Sequence, residues 1–311
     1  MTKLPLADVS LGSVSPPMVV ALAILTIAYA RRSRTLAGQD RPLPRWRQIC
    51  FYAAIFILIA EPLSPIGPDA DVSFTSHMIE HLMIGDLAAL LVVLGLTGPL
   101  IAPLLKLDLI AKLRVLAHPA VALPVWLVNL YVWHLPFMME GALDHDIVHV
   151  AQHIMFFSAG LNMWMPLFGP LPQPAWFTNI AKLGYAVVVR LAGLLLGNVF
   201  VFAGSVFYDN YQRGDSFWNL SPAGDQSTAG AVMMIEGSIF TFGLLTWLFI
   251  KAARESDQSQ ELVELAGAHG IELSSQRSAR AAAAGTTELL RQRIVAPSDQ
   301  AGPDDGPPVD E

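Results

Sequence analysis

Apolar side chains gather along this chain into long runs, at about 14–30, 46–62, 75–97, 118–138, 147–168, 183–207 and 229–251. Each run approaches the ~20 residues that cross ~30 Å of hydrocarbon at ~1.5 Å per residue. Turn-forming segments separate them: EPLSPIGPDAD after the second, LTGPLIAP after the third and GPLPQP after the fifth. A backbone in lipid has to satisfy its own hydrogen bonds, so the runs read as helices. The pattern predicts an all-α, polytopic membrane bundle of about seven transmembrane helices. The first run lacks a basic leader and a small-residue cleavage site, so it reads as a retained span.

Composition agrees with this picture and then divides the chain. Hydrophobic residues make up 53% and charged residues only 14%, against about 25% charged in an ordinary soluble domain. Residues 255–311 hold eleven acids and four bases, which is the entire net charge of −7, and the rest of the chain is neutral. That excludes a basic nucleic-acid footprint. The single cysteine, Cys50, excludes a disulfide framework, a CxxC motif and a cysteine-based zinc site. The expected organisation is a transmembrane domain over 1–254 followed by an acidic cytoplasmic tail over 255–311. Short polar helices fit 256–294, whereas 296–311 is too acidic and too rich in Pro and Gly to bury a core and reads as disordered.

Lysine and arginine set the orientation. Arg31, Arg32, Arg34, Arg41, Arg45 and Arg47 follow the first run, Lys106, Lys112 and Arg114 the third, Lys182 the fifth, and Lys251 and Arg254 the last. The alternate loops, 63–74, 139–146 and 208–228, carry one base, Arg213. The N-terminus is therefore predicted outside and the C-terminus in the cytoplasm.

On that topology six of the eight histidines fall at the outer side, on three consecutive spans. His77 and His81 open the third, His134 closes the fourth, and His145, His149 and His153 lead into the fifth. Residues four apart on a helix share a face, so His77/His81 and His149/His153 can each present two imidazoles to one centre. With His134 they make a five-imidazole candidate metal site. Met78, Met138, Met139, Met155, Met233 and Met234 lie near the same level. Imidazole suits Cu, Zn, Fe and Ni and thioether selects Cu(I), so the mixture leans towards copper. Glu80, Glu140, Asp144, Asp146, Glu236 and His145 are candidates to orient the ligands from behind. HExxH does not occur, and neither does a nucleophile–base arrangement or a phosphate loop, so no catalytic turnover is expected. Charges within spans are costly and usually paired, and Asp86 and Arg190, both near the midplane, are expected to form a buried ion pair.

The blocks SHMIEHLMI (76–84), HPAVALPVW (118–126), WHLPFMMEGAL (133–143) and HDIVHVAQHIMFFSAGLNMWMPLFGP (145–170) resemble the membrane-embedded cytochrome c oxidase assembly factors of the CtaG type. That resemblance implies a seven-helix core, a bacterial inner-membrane location, and a role in oxidase maturation through copper delivery. It carries over His77, His81, His134, His149 and His153, with oxidase subunits and a periplasmic copper donor as partners. Glu80 stands where the family more usually has Gln, and Asp86 interrupts an apolar stretch. Three other readings stay open: a membrane electron carrier with haem held by His81 and His153, a copper permease, and a purely structural scaffold for oxidase subunits with no metal.

Overall fold

In the computed structural model, which describes residues 16–212, 216 and 218–295, the described part of each apolar run is mainly helical, the fourth being interrupted at His134 and Leu135. The helices that matter for the site are α1 (Pro16–Ala37), α2 (Arg45–Leu63), α3 (Phe74–Gly95), α4 (Pro119–Trp133), α5 (Pro136–Asp144), α6 (Asp146–Phe168), α7 (Asn179–Phe202) and α8 (Pro222–Ala268). Two short helices follow, α9 (Ser275–Ala283) and α10 (Thr287–Val295). There is no strand among the described residues.

Four of these helices, α2, α3, α7 and α8, are long and apolar enough to cross a membrane. A fifth span results if Asp108–Ala117 and α4, bent by 78° at His118, are taken as one. The sequence explains why α1 and α6 fall short. Arg31, Arg32 and Arg34 lie inside α1, and α6 carries His149, Gln152, His153 and Asn162. Polar residues that build a site dilute the apolarity of the helix that holds them. The surface is inverted relative to a water-soluble protein, with Phe56, Val128, Ile154, Leu195, Phe202 and Ile239 all exposed. Hydrocarbon contact is the physical setting for such a surface.

The chain forms two compact units, Met1–Thr241 and Phe242–Glu311. In the first, small residues let helices meet backbone to backbone, as is common where lipid gives no hydrophobic drive to association. A Cβ added to Gly160 of α6 would stand 1.7 Å from the Gly85 carbonyl oxygen of α3. One on Gly230 of α8 would stand 2.5 Å from that of Gly197 on α7. Phe74, Phe200, Tyr208 and Tyr211 form an aromatic cluster beside the start of α3, with Phe74 edge to face at 4.9 Å from both Phe200 and Tyr208.

Helix α8 does not stop where its apolar run stops near residue 251. The polar stretch that follows has good helix formers, and the helix continues to Ala268. It ends at Gly270, at φ +68°, with Ile271 N–H donating to the Ala266 carbonyl at 2.9 Å, a glycine C-cap. In the second unit Leu262, Ala266 and Ile294 pack together, and an exposed Arg291–Glu261 pair lies nearby. The segment 296–311 read as disordered lies outside the described residues, as does Arg213.

Candidate metal centre

The site grows from the first turns of α3. Ser73 caps that helix, accepting from Ser76 N–H at 3.3 Å, and His77, Glu80 and His81 then follow at i, i+3 and i+4 on one face. That face meets α6, where His149 and His153 repeat the four-residue spacing. Four imidazoles form a closed quadrilateral. Ring centroids are 4.4 Å apart for His77/His81, 5.6 Å for His77/His149, 5.2 Å for His81/His153 and 4.3 Å for His149/His153. Glu80 points into it, its Oε1 3.5 Å from His153 Nε2 and its Oε2 3.9 Å from His149 Nε2.

Ligand atoms of His77, Glu80, His81 and His149 all lie within 4.8 Å of one another. Donors bound at about 2.0–2.2 Å to one ion can be at most about 4.4 Å apart, so small inward rotations bring four donors onto one centre. The orphaned atoms test the fit independently. Both ring nitrogens of His77 and of His81, Nε2 of His134, His149 and His153, and Oε2 of Glu80 are buried without a well-formed hydrogen bond. Buried polar atoms nearly always find partners. These orphans lie on residues gathered around Glu80, a set that a cation would satisfy, and imidazoles with one carboxylate suit a divalent transition metal.

The surroundings hold this face rigid. Asp225, in the first turn of α8, accepts from Phe74 N–H at 2.7 Å, Thr75 N–H at 3.0 Å and Ser73 Oγ at 2.9 Å. A carboxylate buried on the N-terminus of α3 satisfies its free amides and complements its dipole. Trp218 Nε1 donates to Ser76 Oγ at 2.8 Å, which donates to Asp69 at 2.7 Å. The Ala70 carbonyl faces the His77 ring and accepts from Tyr211 at 3.2 Å. Tyr208 donates to the His134 carbonyl at 2.8 Å. Burial pushes both phenols well above their ordinary range, so they persist as donors.

The other residues singled out from the sequence take different places. His134 donates from Nδ1 to the Leu130 carbonyl at 2.6 Å, which directs its bare Nε2 inward. Phe156 meets both His81 and His134 edge to face, with centroids at 4.4 and 6.1 Å, so an aromatic ring touches His134 as well as the cluster. His145 is exposed and bonds the Asp144 carbonyl. Glu140 and Asp144 accept from Asp209 and Asn210 in the loop before α8, and Asp146 opens α6. Met78, Met139 and Met233 pack into the aromatic and apolar cluster, while Met155 is exposed. The gathered donors are thus nitrogen and oxygen. A further neighbour that the sequence pattern does not reveal is Glu61, 2% exposed, which hydrogen-bonds Glu80 and lies near His153. Its neighbour Pro62 reads as a loop signal, but the proline sits in the last turn of α2 and the helix runs through it.

The family model for cytochrome c oxidase caa3 assembly factor (Caa3_CtaG) matches residues 25–255. The chain belongs to that family. The matched region contains both histidine pairs, Glu61 and Asp225. No curated protein and no solved structure matches the chain.

Below the histidines, this assembly-factor chain departs from the expected pairing of Asp86 with Arg190. Asp86 accepts from Trp164 Nε1 of α6 at 2.8 Å and hydrogen-bonds Glu236 of α8. Arg190 donates to the Ser238 hydroxyl at 2.6 Å and to the Met234 carbonyl, with Glu236 nearby. No ion pair joins Asp86 to Arg190 among the described residues; Glu236, expected to orient the histidines, lies between these two in the network. The reason is geometric. Arg190 lies seven residues before Gly197, on the α7 face that meets α8. Asp86 sits in a π-helical turn, Met83–Ala88. In an α-helix five residues would turn Asp86 about 140° away from His81. The wider turn reduces that offset, so both face α6.

Proposed function

We propose that this oxidase assembly factor handles copper through the His77–Glu80–His81–His149 cluster, with His153 as the ligand that admits and releases the ion. The observation that carries the proposal is the cluster of buried ring nitrogens, without well-formed hydrogen bonds, gathered with the Glu80 carboxylate. His149 and His153 are the accessible members, at 22% and 26% side-chain exposure, which suits exchange with a second protein. Neutral imidazoles hold the ion, and protons compete with it in acid. Copper here is cargo, and no catalytic turnover is proposed.

The topology proposed with it is seven spans, with the N-terminus outside and the C-terminus in the cytoplasm of a bacterial inner membrane. The arginine-rich loop after α1 and the sparse bases in alternate loops support it. The cluster then sits near the periplasmic rim, within reach of a periplasmic donor and of oxidase subunits in the same bilayer. Ring centroids within 6 Å of each other on all four sides leave no slot for a porphyrin, which disfavours the haem reading. A copper permease would need ligands across the bundle, and beneath the cluster the gathered polar groups are Asp86, Glu236, Arg190 and Trp164.

In cells lacking the native protein, His81→Ala is expected to accumulate at the normal level yet leave the oxidase without its copper and without activity. Copper-replete oxidase in that strain would leave the chain as a scaffold alone.

A further inference from the structure

Asp86 of α3, Glu236 of α8 and Arg190 of α7 gather within the apolar stretches of their helices, and the metal site uses none of them. Ionisable groups in hydrocarbon normally pair with the opposite charge. Here Glu236 has Arg190 nearby and yet hydrogen-bonds Asp86. The Asp86 Oδ1 also accepts from Trp164 Nε1 at 2.8 Å. Arg190 Nη2 donates instead to the Ser238 hydroxyl at 2.6 Å and to the Met234 carbonyl. Among the described residues no ion pair joins Arg190 to either acid.

An ionised carboxyl only accepts hydrogen bonds, whereas a protonated one donates. Two ionised carboxyls have no hydrogen to share and repel each other, so a hydrogen bond between them contains a proton. Were both ionised, Glu236 would turn from Asp86 to the guanidinium. A single proton also balances the charge, leaving one anion beside one cation. Two protons would leave Arg190 without a counter-charge, and none would leave an excess anion in the apolar interior. The backbone is shaped around the pair. The π-helical turn Met83–Ala88 brings Asp86 round to its partners, and such turns recur at functional sites. Gly237 lacks the Cβ that would strike the Arg190 guanidinium. Helix α2 packs on the same turn but brings no charged group to Asp86 among the described residues.

From this we infer that Asp86 and Glu236 form a proton-binding site in the membrane interior, with one exchangeable proton held between the two carboxyls and Arg190 as its counter-ion.

The test is infrared difference spectroscopy of the metal-free full chain in detergent at neutral pH, with thermal unfolding alongside. The readout is the carbonyl stretch of a protonated carboxyl, which shifts in D2O, set against the carboxylate stretch. Glu61 and Glu80 are common to every protein compared and cancel. Relative to wild type, Asp86→Asn is expected to lose one protonated carboxyl and no carboxylate, because Glu236 stays ionised beside Arg190. Its unfolding midpoint should stay level, since charge balance is kept and an amide can still accept from Trp164 and donate to Glu236. Arg190→Gln is expected to convert one carboxylate into a second protonated carboxyl, because the anion has lost its cation. Loss of a carboxylate in Asp86→Asn would mean that the pair holds no proton and would overturn the inference. So would an Arg190→Gln spectrum with no added acid, a band that does not shift in D2O, or a lowered midpoint for Asp86→Asn. No metal enters these readouts, so this inference and the copper proposal fail separately.

Discussion

His77→Leu is expected to abolish metal binding and yet leave the metal-free protein as stable as before, or more so. His77 is fully buried and both its ring nitrogens lack a well-formed hydrogen bond. A buried polar atom without a partner costs roughly 1–3 kcal/mol, and exchanging it for an apolar group of similar size is neutral or stabilising. Losing a direct ligand should weaken the metal by more than the 10–100-fold typical of an outer hydrogen-bonding partner, so a loss of about 100-fold or greater is expected. Thermal unfolding in chelator and a metal titration read the two effects separately. A metal-free variant less stable by about 2 kcal/mol would mean that His77 is a structural core histidine instead.

Asp225→Ala should do the reverse. Here the buried group is fully partnered, and the carboxylate joins α8 to the start of α3 through three donors. Hydrogen bonds to charged groups contribute about 1.5–3 kcal/mol each and do not simply add, so a loss of about 3 kcal/mol or more is expected. The first turn of α3 frees its amides without the cap, and His77 moves with it, so metal affinity falls as well. Asp225→Asn keeps one acceptor oxygen and should fall between. Unfolding midpoints of the three proteins in one detergent check the order. A midpoint for Asp225→Ala within measurement error of wild type would remove the cap from the account.

The contrast between these two residues shows how far the sequence is legible. Helix positions are readable because hydrocarbon thickness sets run length, and the pairs His77/His81 and His149/His153 are readable because a four-residue spacing fixes a shared helix face. Both are local facts. What joins the helices is not. Asp225 meets Ser73 across 152 residues, and no periodicity signals such a bond. Arg190 illustrates the same gap: depth along a helix is countable, but which neighbour a face meets depends on packing, and the Gly197–Gly230 crossing turned it towards α8. The π-helical turn at Met83–Ala88 adds a rotation that an α-helical reading omits. Glu61 was hidden behind a proline that normally ends a helix.

Metal analysis of the purified chain, combined with X-ray absorption at the metal edge, bears most directly on the central claim. The expected result is about one copper per chain, surrounded by nitrogen and oxygen neighbours with the multiple scattering of imidazole, and none in His77→Leu. A chain that carries no metal after copper exposure, or a His77→Leu variant that keeps its copper with the same ligand signature, would contradict it.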